Sequence, residues 1–174
     1  MATRRKGEID SKPGQSAVKI FAANERMNQL LIEHLDAEVW NAKAPGSVRT
    51  IAAIFTHVHN VRTKWVRLTA PHLKVPRQLS RMQCSQAEVS AALAVSAARC
   101  EEMLAEAFAG GGRIGSFMRD GWAGLMPAGA EMLCYMIAHE AHHRGQACMI
   151  AHQLGCKLPG RVTSAMWNWE RMLK

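Results

Sequence analysis

His139 and His143 stand four residues apart in the segment His139-Glu140-Ala141-His142-His143-Arg144-Gly145-Gln146. At that spacing two side chains stack on one face of an α-helix. Projected at about 100° per residue, Met132, Met136, His139, His143, Gln146 and Ile150 share a narrow stripe. Two imidazoles thus fall in the middle of an apolar face that has to pack inwards. Ring nitrogens buried there need partners. One metal ion bound by both would satisfy them; a pair of hydrogen-bonded core histidines is the plainer alternative. Either way the segment demands a long helix with other helices around it.

The remainder of the chain supplies those helices. From about Ser16 to Lys43, residues Ile20, Met27, Leu30, Leu31, Leu35 and Val39 recur at three- and four-residue steps, and Pro45-Gly46 ends the run. A second helix is expected from about Val48 to Ala70, with Ser47 as N-cap. Ser85-Gln86-Ala87-Glu88 is a capping box that opens a third helix, running to about Phe108 and stopped by Gly110-Gly111-Gly112. Residues 113–125 read as irregular or extended. Pro127 suits the first turn of a fourth helix that ends near Gly155 as C′ residue. A short final helix covers about Thr163 to Leu173. The expected fold is all-α, a four-helix bundle with a short C-terminal helix. Residues 1–15 read as a flexible basic N-terminal arm, and 16–174 as a single helical domain.

Composition narrows the function. No apolar run approaches the roughly 20 residues of a membrane helix, and the basic N-terminus lacks the apolar stretch of a secretion signal. The five cysteines are odd in number and widely spaced, with no C-x-x-C, which argues against a disulfide framework or a thiolate zinc site. They suit a cytoplasmic protein that uses thiols as small core residues. The net charge is +8, but no basic stripe is interleaved with aromatics, so no specific nucleic-acid partner is expected.

A stable metal site needs a third ligand. In the second helix His57 borders the apolar stripe Ile51, Ile54, Val58, Val61, Trp65 and Leu68, whereas His59 points away, towards solvent or a ligand's outer side. His57, His139 and His143 form the expected triad, suited to Zn²⁺ or Ni²⁺, with Fe, Co, Cu or Mn also compatible. His142 is expected to face a neighbouring subunit, solvent or a ligand's outer side, and His34, His72 and His152 to lie on the surface. Glu140 falls about 80–100° off the triad's stripe. It is expected to pair with Arg144 or to orient a ligand. Arg144 either forms a salt bridge or holds an anionic group, and Gln146 either bonds a ligand or substrate or makes a polar contact between helices. Trp40, Trp65 and Trp122 read as core or dimer-interface anchors.

The same letters match H-E-x-x-H, which would make Glu140 the general base of a metallopeptidase and Glu170 a candidate downstream ligand. The extended metzincin form fails, with Gln146 where glycine is required and Met149 where histidine is.

Residues 51–62 (IAAIFTHVHNVR), residues 135–146 (YMIAHEAHHRGQ) and the ending Trp167-Asn168-Trp169-Glu170 resemble the DinB/YfiT-like family of candidate metal-dependent enzymes. The resemblance implies an up-down-down-up bundle, often a homodimer. It also implies a metal triad of one histidine on the second helix and an H-x-x-x-H pair on the fourth, here His57, His139 and His143. Some such proteins are S-transferases or isomerases that use low-molecular-weight thiols such as bacillithiol or mycothiol. The implied function is a metal-dependent transferase or hydrolase acting on a small molecule. A non-catalytic metal-binding or stress-response role is the alternative.

Overall fold

The computed structural model describes residues 13–46, 49–80, 84–109, 116–119, 124–127 and 129–174. The elements run α1 (Pro13–Glu33), α2 (Ala37–Trp40), α3 (Ile51–Thr69), α4 (Gln86–Ala109), β1 (Ser116–Arg119), β2 (Gly124–Pro127), α5 (Ala130–Gln153), α6 (Gly160–Met166) and α7 (Trp169–Met172). Apart from one antiparallel hairpin, β1–β2, the described elements are helices. Of the expected features, the N-terminal arm up to residue 12, Ser47, the three-glycine stop and Trp122 lie outside the described residues.

Local chemistry accounts for most helix ends. Thr50 caps α3 by accepting from Ala53 N at 3.1 Å. The Ser85–Glu88 capping box forms as expected: Glu88 N donates to Ser85 Oγ, and Ser85 N to Glu88 Oε2 at 2.8 Å. After α5, Cys156 N donates to Ala151 O and Gly155 N to His152 O. This is the Schellman pattern, and Gly155 takes the left-handed conformation it needs, φ 84°.

Three boundaries differ from expectation. α1 starts at Pro13, within the expected arm, because proline is well placed in a first helical turn. It also stops at Glu33 instead of Lys43. The freed carbonyls of Ile32 and Leu35 are taken by the Gln86 side-chain amide, and the chain resumes as the separate α2. Pro127 pairs with Ser116 in the hairpin and does not open α5; the turn comes at Gly129, whose φ of 106° only glycine adopts readily. The final helix is also broken, with Asn168 capping α7 through Arg171 N.

α1 packs on α4 and α5, and α3 packs on α4 and α5, so the four long helices enclose a shared interior. That interior has two apolar clusters. One joins Leu31 and Ile32 of α1, Ile51, Ile54 and Phe55 of α3, Leu93 of α4 and Ile150 of α5. The other joins Phe21, Trp65, Val66, Met103, Leu104, Met132 and Met136. Trp40 and Trp65 are core residues: Trp40 stacks on Phe55, and its Nε1 donates to Cys84 O at 2.9 Å. Between the clusters each long helix turns polar residues inwards: Asn24, Glu25 and Asn28; His59 and Arg62; Ser96; Glu140 and His143. A third, smaller cluster seats Met172 of α7 against Ala23 and Met27, and Arg26 donates to the Met172 carbonyl.

Thr50→Ala should lower the unfolding free energy by about 1 kcal/mol, through loss of the α3 cap. Urea denaturation followed by circular dichroism measures it.

Candidate metal centre

α3 and α5 bring three histidines together. His57, His139 and His143 each offer a ring nitrogen, and the three possible ligand atoms lie within 4.8 Å of one another. Ring centroids are 5.3 Å apart for His57–His139, 4.8 Å for His57–His143 and 4.5 Å for His139–His143. Among the described residues this is the group of three or more His, Cys, Asp or Glu side chains that could hold a metal. His139 Nε2 and His57 Nε2 are 3.3 Å apart. Two imidazoles on a tetrahedral ion at 2.0–2.1 Å would have their nitrogens roughly 3.3 Å apart. Three imidazoles without a thiolate or carboxylate are a donor set that borderline divalent ions accept.

His143 has a defined tautomer. Its Nδ1 donates to Gln146 Oε1 at 2.8 Å, which leaves the Nε2 lone pair available. Burial pushes the His143 pKa down; the Gln146 bond opposes this, and the neighbouring His142 and Arg49 add to the lowering. The ring therefore stays in the neutral form that a metal requires. Tyr135, one turn before His139, stacks on it with centroids 5.8 Å apart and meets Trp65 edge-on. Next to His143 opens a groove of about 980 Å³.

The other histidines are placed as follows. His59 is buried, not solvated: it is 1% exposed, and its Nε2 donates to the Arg77 carbonyl at 2.9 Å. Burial pushes its pKa down, against the Arg77 and Ala92 carbonyls. His142 is exposed, with its ring against that of His143. His72 pairs with Glu106 on the surface, His152 is exposed, and half-buried His34 contacts the Leu30 carbonyl.

Glu140 departs most from expectation. It lies off the triad, as its helical phase requires, yet it points into the core and is 1% exposed. Its main partner is Arg62, not Arg144. Arg62 Nε donates to Oε1 at 2.7 Å and Nη2 to Oε2 at 2.6 Å, a bidentate pair. Asn24 and Asn28 donate to Oε2 at 2.6 and 2.8 Å. Arg144 donates instead to the Asn24 and Asn28 side-chain carbonyls at 2.6 and 2.9 Å, so it grips the same asparagines from the other side. Arg62 also donates to Leu93 O, faces Glu25 at 2.7 Å and lies over the Phe21 ring. Burial alone would push the Glu140 carboxyl up; Arg62, Asn28 and Arg144 together outweigh it and hold the pKa below the ordinary carboxyl range.

Sequence reasoning passed over Asn24, Asn28 and Arg62. A signal existed: Phe21, Asn24, Asn28 and Leu31 follow helical steps and are all buried, so two asparagines stand on a core stripe just as the histidines do. Glu170 lies on the surface and pairs with Lys174, so it belongs to no metal-ligating group. Of the thiols, Cys84, Cys100 and Cys156 are buried, Cys148 is half-buried and Cys134 is exposed; all are free.

These features define a helical protein with a three-histidine centre able to hold a metal ion. The sequence profile of the DinB family matches residues 11–170. The chain belongs to the DinB family. No curated protein matches it.

Gln146→Ala should weaken divalent-metal binding about 10- to 100-fold while helix content is unchanged, as measured by calorimetric titration. Glu140→Ala, which strands Arg62, should destabilise the fold by about 3–5 kcal/mol. Acid should do the same by degrees. The Glu140 pKa is depressed in the folded state, so its contribution is complete above the ordinary carboxyl range and is lost as pH falls through and below it. Unfolding titrations from about pH 7 to about pH 3 should show that loss, and Glu140→Gln should show less of it.

Proposed function

We propose that the chain is a divalent-metal-dependent enzyme acting on a small molecule, with His57, His139 and His143 as ligands. The observation that carries this is the convergence of three imidazoles beside an open groove. Zn²⁺ and Ni²⁺ fit the donor set best. When bound, such an ion lowers the pKa of a water or thiol and polarises a substrate oxygen. Thiol-dependent S-transfer is the favoured reaction on the family resemblance, with hydrolysis second.

The chain's own residues have separate tasks. Gln146 holds the His143 tautomer, and Tyr135 braces the His139 ring. Glu140 is committed to Arg62 and two asparagines, so it is not placed to serve as a general base. This weighs against the metallopeptidase reading. A non-catalytic metal-binding role has one observation in its favour: no carboxylate lines the groove among the described residues, so no side-chain base other than histidine is at hand.

The same reading takes residues 16–174 as one domain and the helices as an up-down-down-up bundle. The starts of α1 and α5 share one apolar cluster with the ends of α3 and α4, which supports that order. Homodimer assembly follows from the family resemblance. Five free cysteines are compatible with a cytoplasmic location, which this reading adopts. No described helix is long and apolar enough to cross a membrane.

Purified protein should bind one zinc or nickel ion per chain. His57→Ala, His139→Ala and His143→Ala should each lose occupancy by elemental analysis while remaining helical. Metal-dependent turnover is then sought with low-molecular-weight thiols and epoxide or maleyl-type acceptors. Occupancy without turnover for any pair would favour the non-catalytic role.

A further inference from the structure

The chain's charge is unevenly distributed. Residues 39–87 contain eight Lys and Arg residues and no Asp or Glu, while the 14 Lys and Arg elsewhere equal the 14 Asp and Glu. The whole formal excess of +8 therefore belongs to α3 and the segments on either side of it. One of the eight, Arg62, is taken up in the core by Glu140 and Glu25. Four others come together outside. Asn60, Lys64 and Arg67 follow helical steps on α3, so they share one stripe. After Ala70 the chain doubles back along α3 as a strap. Asn60 clasps it, with Nδ2 donating to Leu79 O and Leu79 N donating to Oδ1, both at 2.9 Å, and His59 holds the Arg77 carbonyl. Leu73 and Val75 of the strap pack onto the Trp65–Val66 cluster, and Leu79 onto the Ile54–Phe55 cluster. Lys74 and Arg77 are left exposed, as is Arg67, and Lys64 is half-buried. Among the described residues none of these four cations pairs with a carboxylate. Glu106 of α4 touches the strap at His72, 2.7 Å away, and is taken up by that contact.

We propose that this face, Lys64 and Arg67 of α3 with Lys74 and Arg77 of the strap, binds the phosphate backbone of duplex nucleic acid without regard to sequence. Clustered cations gain affinity for a polyphosphate by releasing its condensed counter-ions. Phosphate contacts carry no sequence information of their own. Among the described residues the face has no exposed Trp, Tyr or Phe on which an unpaired base could stack, which favours duplex over single strand. Its apolar side chains pack inwards, with Leu68 the exception, so it has little to insert into a lipid surface. Binding here does not involve the three-histidine centre.

The test is fluorescence anisotropy of a labelled duplex of about 20 base pairs, titrated with the full chain at salt concentrations from about 50 to about 200 mM. Four phosphate contacts should give a slope of log affinity against log salt of about −3.6, a fall of roughly 100-fold over that range. Two duplexes of unrelated sequence should bind alike. Lys64→Gln, Arg67→Gln, Lys74→Gln and Arg77→Gln should each reduce the slope by about one while helix content is unchanged. Arg67→Lys should keep the slope, and so should Arg99→Gln, whose side chain is already paired with Glu102. A slope near zero would overturn the proposal, and so would one that survives all four Gln substitutions together. Loss of binding in Arg4→Gln/Arg5→Gln/Lys6→Gln, with the face intact, would overturn it in favour of the basic N-terminal residues. Binding to vesicles containing phosphatidylserine without binding to the duplex would overturn it in favour of a membrane surface.

Discussion

A carboxylate and a guanidinium meet at the centre of four helices, and neither is stable there alone. Glu140 and Arg62 are each 1% exposed. Taking either from water costs several kcal/mol unless the other meets it with good geometry and the remaining hydrogen-bonding positions are filled. Here they are filled. Asn24 and Asn28 complete Glu140, Leu93 O and Glu25 take the outer side of Arg62, and Arg144 closes the ring through the asparagines. Two cations and two anions balance. A hydrophobic replacement of the same shape could match this for stability. What the charges add is intolerance of misalignment, since sliding one helix by a turn would leave a buried charge unpaired.

The three-histidine centre depends on that alignment. His57 precedes Arg62 by five residues on α3, and Glu140 lies between His139 and His143 on α5. Fixing Arg62 against Glu140 therefore fixes the height at which α3 presents His57 to the α5 pair. The smaller interactions then set ring orientation: Gln146 on His143 and Tyr135 on His139. Long-range register comes from buried charge, and local aim comes from neighbours one turn away.

Legibility in the sequence followed the physics of each feature. Helical periodicity, the Ser85–Glu88 capping box and the Gly155 stop are local signals, and the structure has them where they were expected. The His139–His143 pair was readable because four-residue spacing has one meaning on a helix. The break after Glu33 was not, because it depends on Gln86 from another helix capturing the freed carbonyls. His59 illustrates the same limit. Its phase on α3 pointed away from the apolar stripe, yet a helix packed on two sides buries more than one stripe, and the Arg77 carbonyl satisfies the ring there. Glu140 was correctly separated from the histidine face, but its partner lies 78 residues away on α3, beyond any i+4 rule.

The polar layer also divides the interior. Leu31, Phe55, Leu93 and Ile150 lie on one side, and Phe21, Trp65, Met103 and Met136 on the other. The groove opens on the side that holds Ile54 and Ile150. Substitutions that reshape that wall are screened from the far half by a layer whose hydrogen bonds define a single arrangement. The charged ring thus stands as a bulkhead between the half of the interior that walls the groove and the half that does not.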